Sequence, residues 1–156
     1  MYKRQVVKSV ETSKEWPENL GVGKPYDNMI DNRLEDYLEA KAAAGQGDSR
    51  KTSALLAAVA DYTISRSHFE SGNLLSALAL RESGKVQEAD HMVAAWSTDF
   101  PENRVVQWCT AIYRGEKEKA VGMLQSRNDQ TNTTPWEASF RDSNFDLIGR
   151  LFSTEQ

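Results

Sequence analysis

Glu70 to Pro101 reads ESGNLLSALALRESGKVQEADHMVAAWSTDFP, and this stretch decides the fold. Leu74, Leu75, Ala77, Leu78 and Leu80 cluster in its first half. Val86, Ala89, Met92, Val93 and Trp96 recur at three- and four-residue steps in its second. Such spacing gathers apolar side chains on one side of a helix, whereas a strand would alternate at every second residue. The halves meet at Ser83-Gly84-Lys85, where a glycine permits the positive φ with which helices commonly end. Ala77 and Ala89 are small where two antiparallel backbones would come closest, and Pro101 closes the second helix and suits the first position of the next. The expectation is a hairpin of two helices whose apolar faces need neighbours of the same kind.

The same grammar extends in both directions. Asp31–Ala44 and Asp48–Tyr62 predict a hairpin turning at Gly45–Asp48, with Leu34, Tyr37, Leu38 and Ala42 facing Leu55, Leu56, Val59 and Tyr62. Residues 63–69 read as a linker, and Ser67 with Glu70 has the spacing of a capping box for the helix that follows. Arg104–Tyr113 and Glu116–Gln125 predict a further hairpin turning at Gly115. Gly84 precedes Ala89, and Gly115 precedes Ala120, by five residues each, and the two glycines stand 31 apart. Residues 127–133 are polar; Asn132-Thr133-Thr134 fits a glycosylation pattern that matters only in a eukaryotic secretory setting. Thr134–Glu137 forms another capping box, with Trp136 and Phe140 expected in the core behind it. Phe145, Leu147, Ile148, Leu151 and Phe152 predict a terminal capping helix over Asn144–Phe152. At the other end, Val6, Val7 and Val10 make Tyr2–Trp16 look like a second helix without its first. Either another segment packs there or the chain is a fragment of a longer protein, and the reading favours the fragment.

These positions resemble the tetratricopeptide repeat (TPR). That family places a small residue within the first helix, Gly at the turn, Ala early in the second helix, a large apolar residue one turn on, and Pro at the end. Ala77, Gly84, Ala89, Val93 and Pro101 follow that order, and Ala40 with Gly47-Asp48 follows it more loosely. The 31-residue glycine spacing is close to the family period of about 34, while Gly47 and Gly84 stand 37 apart across the linker. Departures occur at Asn73, Ser76 and Thr52, where the family prefers Trp, Leu and Ala, and at Trp96, which would spread its neighbours or fill a gap. The resemblance implies an all-α fold, an α–α superhelix of antiparallel hairpins. It divides residues 1–156 into a half repeat (1–16), a connector (17–30), hairpins at 31–62, 70–100 and 101–126, and a cap at 134–153. A second resemblance lies in Glu15–Lys24, EWPENLGVGK, which is similar to the YPENLGEGK connector of large bacterial proteins. Those join a β-rich, carbohydrate-enzyme-like domain of unknown function to a helical-repeat tail; Val22 departs from their acidic residue.

Composition excludes several classes. With 19 basic and 23 acidic residues the net charge is −4, so no nucleic-acid footprint is present. A single cysteine, Cys109, excludes an internal disulfide and a cysteine-rich zinc site, and its apolar setting reads as core. No apolar run reaches the length of a membrane span, and the first residues lack a signal peptide's apolar centre, so a soluble, cytoplasmic chain is favoured. GVGK at 21–24 lacks the hydroxyl residue and preceding strand of a phosphate loop, since Pro25 follows Lys24. His68 and His91 have no metal-ligand spacing, and no serine lies in a nucleophile motif. Asp31, Glu35, Asp36 and Glu39, with Arg33 and Lys41 among them, read as a solvated helix face rather than an acid–base or metal set. The expectation is a non-catalytic chain with no cofactor and no bound metal.

In TPR arrays the first helices line a groove that takes extended peptides. The resemblance places Tyr37 and Lys41, then Leu74, Leu78 and Arg81, then Val105, Cys109 and Tyr113 along it. The Asn and Lys set that clamps a peptide's terminal carboxylate in some members is absent, so acidic C-terminal tails are not expected there. An apolar groove would be covered by a protein or peptide partner, by a domain preceding this chain, or by a second copy in a homodimer. Leu74 and Leu78 serve equally well as packing against the neighbouring hairpin. The expected function is a scaffold for protein–protein or interdomain contact; the alternative is a structural tail of a larger carbohydrate-active bacterial protein.

Overall fold

A computed structural model of the chain describes residues 8–10, 12, 14, 30–64, 69–128 and 144–153, with the backbone alone at 63, 64, 126–128 and 153. The connector at 17–30, its GVGK, and the capping boxes at Ser67 and Thr134 fall wholly or partly outside these residues, as do His68, Trp136 and Phe140.

The fold is all-α. Seven helices are α1 (Arg33–Ala44), α2 (Ser49–Ile64), α3 (Gly72–Glu82), α4 (Val86–Asp99), α5 (Arg104–Tyr113), α6 (Lys117–Asn128) and α7 (Phe145–Ser153). They pair as antiparallel hairpins α1/α2, α3/α4 and α5/α6, and the first helices also pack on one another, α1 on α3 and α3 on α5. Residues 8–10 are helical too, and Val10 is buried.

Three glycines make the three turns. Gly47, Gly84 and Gly115 have φ of 80°, 83° and 75°, and no other described residue has positive φ. Each glycine N–H reaches back three residues, to Ala44, Arg81 and Ile112. The N–H after it reaches back five: Asp48 to Ala43, Lys85 to Leu80 and Glu116 to Ala111, at 3.0, 2.9 and 2.8 Å. This paired closure satisfies carbonyls that a helix end otherwise leaves open. One backbone device, used three times, therefore sets the hairpin geometry.

The core runs along the array without a break. Leu74, Leu75, Ala77 and Ala79 are 0 % exposed, as are Val59, Ala89, Trp108, Cys109 and Ile148. Each fully buried leucine contributes about 2 kcal/mol of transfer free energy. Ala77 and Ala89 are both fully buried on helices that pack on one another. Trp96 fills a gap: its ring meets Phe69 edge-on at 5.1 Å, and Phe69 in turn lies 6.3 Å from Phe100. Trp108 of α5 meets Phe145 of α7 edge-on, also at 5.1 Å, so the last helix covers the end of the stack.

Two helix starts differ from expectation. Pro101 lies in a turn, and Asn103 caps α5 by accepting from the N–H groups of Val105 (2.9 Å) and Val106 (3.3 Å). A side-chain acceptor satisfies the open donors of the first turn better than proline, which only removes one. Glu70 does not begin α3, which starts at Gly72; its carboxylate is drawn instead to Arg33.

Candidate functional site: the first-helix surface

Arg33 is not on a solvated face. It is 2 % exposed and lies between α1, α2 and α3. Its Nε and Nη2 donate to Asp31 at 2.9 and 2.8 Å, Nη2 donates to Glu70 at 2.7 Å, and Nη1 donates to Asn73 Oδ1 at 2.7 Å. Its guanidinium also lies 4.6 Å above the Tyr62 ring. Gly72 makes room for it: a Cβ there would come within 2.6 Å of the guanidinium carbon. Asn73 and Ser76 thus have polar partners in the interior of the array. Asn73 receives Arg33, and Ser76 Oγ donates to the Val59 carbonyl of α2 at 2.7 Å.

The acidic cluster of α1 is likewise partly internal. Glu39 is 6 % exposed and accepts from Lys14 at 2.6 Å and Lys51 at 2.7 Å, while Lys14 also donates to Asp36 at 2.6 Å. Burial would raise the Glu39 carboxyl, but the two lysines outweigh it and hold it below the ordinary range. Burial would likewise lower Lys14, and its two carboxylates hold it above the ordinary lysine range. These charges join residue 14 to α1 and α2. Among the described residues no group of three or more metal-ligand side chains comes together.

The nominated groove residues divide into two kinds. Leu74 (0 %), Leu78 (3 %), Val105 (3 %) and Cys109 (0 %) are core, and of these Leu78 also borders a partly open cavity beside Arg81 and Tyr113. Helical periodicity puts a residue on the first-helix side, but the packing of α1 on α3 and of α3 on α5 then covers it. Lys41 and Arg81 are exposed, Tyr37 and Tyr113 are buried, and all four are tied into polar contacts. Tyr37 donates to Glu82 at 2.6 Å, Lys41 donates to the same carboxylate at 3.0 Å, and the Lys41 ammonium lies 5.6 Å from the Tyr37 ring centre. One junction further on, Arg81 stacks over Tyr113 at 4.8 Å and donates to its carbonyl at 2.8 Å. Tyr113 donates its hydroxyl to Asp90 at 2.7 Å. Burial and that bond to a carboxylate push the phenol up to about 12.

Thus Tyr37, Lys41, Arg81 and Tyr113 lie along the first-helix row, while Leu74 and Leu78 hold it together from behind. Sequence reasoning missed Glu82 and Asp90, the acids that fix the two tyrosines; they carried no signal beyond being acidic residues on amphipathic helices. His91 is exposed on α4. No helix among the described residues is long and apolar enough to cross a membrane. No family model matches the chain, and neither a curated protein nor a solved structure is significantly similar to it.

Proposed function

We propose that this chain is a non-catalytic, TPR-like helical scaffold that presents its first-helix surface to a protein partner or a neighbouring domain. The observation that carries this reading is the threefold use of one glycine-closed turn, combined with packing of α1 on α3 and α3 on α5. Each such turn sets the same relative placement of the two helices within its hairpin, and stacking of like hairpins lines up the first helices into a continuous surface. That surface is polar and charged, with Lys41 and Arg81 exposed, so a partner would be recognised by hydrogen bonds and charge more than by apolar burial.

Photo-crosslinking in the native host tests this. A crosslinker at Lys41 or Arg81 should capture a defined partner, whereas one at Val86 or Val121, exposed on second helices, should not. Capture from the second helices alone would refute the assignment of the surface. The connector-like Glu15–Lys24 supports a narrower context, a tail following a carbohydrate-active domain. A partner captured within the same polypeptide would favour that context.

A further inference from the structure

The segment that carries Val10 and Lys14 is tied to the array by charge. Lys14 Nζ donates to Asp36 and to Glu39 at 2.6 Å each, so one ammonium bridges two carboxylates of α1. The two acids stand three residues apart, which puts them on one face of that helix. Glu39 also takes Lys51 of α2 at 2.7 Å. Among the described residues, the charged groups that meet at this contact are therefore Lys14, Asp36, Glu39 and Lys51. Apolar burial is slight beside it: of residues 8–10, 12 and 14, only Val10 is a buried apolar side chain, at 8 %.

The last helix is attached by other means. α7 buries Phe145 (1 %) and Ile148 (0 %) in the continuous core, and Phe145 meets Trp108 edge-on at 5.1 Å. These two attachments respond differently to solvent. The Lys14 and Asp36 side chains are 23 % and 22 % exposed, within reach of dissolved ions that screen their attraction, whereas added salt does not weaken apolar burial. Release of Lys14 also strands no charge. Asp36 gains water, and Glu39, though buried, keeps Lys51. Opening here costs less than breaking the set around Arg33, where Asn73 would lose its partner inside the core.

We propose that the segment of Val10 and Lys14 is an ionic strap that lifts from α1 and α2 while the rest of the array stays folded, with salt controlling its opening. Lifting bares the carboxylates of Asp36 and Glu39. It is a local opening, drawn from the least apolar attachment described in the chain. Near neutral pH the tie is complete. Glu39 is held below 4.5, so its share is present above that value and lost as pH falls through the lowered one. Lys14 is held above 10.5, so its share is present below that value and lost as pH rises through the raised one. The strap stands on the geometry of Lys14 and does not depend on the scaffold reading above.

The test labels thiols in the full chain at pH 7 with a soluble disulfide reagent, each rate taken relative to a free thiol at the same salt. Val10→Cys reports the strap, Ile148→Cys reports α7, and the native Cys109, 0 % exposed in α5, reports opening of the core. Between about 0.02 M and about 1 M sodium chloride, labelling of Val10→Cys should accelerate about tenfold, and that of Ile148→Cys and Cys109 less than about twofold. Adding Lys14→Gln to Val10→Cys should bring the faster rate already at low salt and abolish the salt response. The Val10 methyl resonances of the unsubstituted chain, followed over the same range, should shift while those of Ile148 stay in place. The proposal is overturned if Val10→Cys labels no faster than Cys109, since the segment would then open only with the whole chain. It is equally overturned if the salt response survives Lys14→Gln, if Ile148→Cys shares it, or if the Val10 methyl resonances ignore salt.

Discussion

Replacing Arg33 by methionine should destabilise the chain by about 3 kcal/mol. The guanidinium is 2 % exposed and donates to Asp31, Glu70 and Asn73 at 2.7–2.9 Å. Methionine fills part of the space but donates nothing. Asn73, itself 5 % exposed, is left with a buried open acceptor, which costs about 1–3 kcal/mol. The Asp31 and Glu70 side chains are 21 % and 36 % exposed, so water recovers part of their loss. The total therefore falls at the low end of the roughly 3–5 kcal/mol seen when one member of a buried charge set is removed. For a domain of this size each kcal/mol moves Tm by about 2–4 °C, so Tm should fall by about 6–12 °C. Urea unfolding followed by circular dichroism would give the same free energy independently. Arg33→Lys should not rescue fully, because one ammonium cannot serve three acceptors held in a planar fork. Gly72→Ala supplies an internal check. It should be costly in the parent, where its Cβ meets a guanidinium pinned by four bonds, and close to neutral in Arg33→Met, where the obstacle is gone. A Tm for Arg33→Met within about 2 °C of the parent, or above it, would refute the reasoning. Additive effects of the two substitutions would do the same.

Glu39→Gln bears on pH. Because the Glu39 carboxyl is held below its ordinary 4.5, the stability from its ion pairs is present above that value and lost as pH falls through the lowered one. Glu39→Gln should therefore cost about 1–2 kcal/mol near neutrality and flatten the loss of Tm below pH 4.5, read by thermal scans across that range. Gly84→Ala should cost about 1–2 kcal/mol in chemical unfolding, since φ of 83° is strained for any Cβ although no atom lies within 4 Å of it. Gly122→Ala, in α6 with equally open space and ordinary helical φ, should instead gain about 0.5–1 kcal/mol, so a common sign for both would contradict the backbone argument. Asn103→Ala removes the acceptor at the start of α5 and should cost about 1 kcal/mol, most visible as faster amide exchange at Val105 and Val106.

Helix positions and turns were legible because both are local. Gly47, Gly84 and Gly115 could be read directly, since a helix that must stop and reverse requires a left-handed residue at a fixed place. Interior charge was not legible. Arg33 and Glu39 occupy α1 positions indistinguishable by periodicity from solvated ones, and Arg33 meets Glu70 and Asn73 only after 37 and 40 residues of intervening chain. The available signal was indirect: Asn73 and Ser76 stand where an apolar residue belongs, and a polar residue in such a place implies a polar partner. The same nonlocality governs the groove. Leu74 and Leu78 belong to the correct side of α3, but the closeness of α1 and α5 decides whether that side meets water.

The two joints of the first-helix row are built differently. Between α1 and α3 the tie is internal: Arg33 holds Glu70 and Asn73 from within the core, and Glu82 is gripped by Tyr37 and Lys41 outside it. Between α3 and α5 Arg81 rests on Tyr113, near the edge. In mechanical terms, the first joint is held both inside and outside the core, whereas the Arg81 tie of the second acts at its edge. A cavity of ≈ 290 Å³ lies at that second joint, with Leu78 and Arg81 on one side and Ile112 and Tyr113 on the other. Its width therefore follows the angle between α3 and α5.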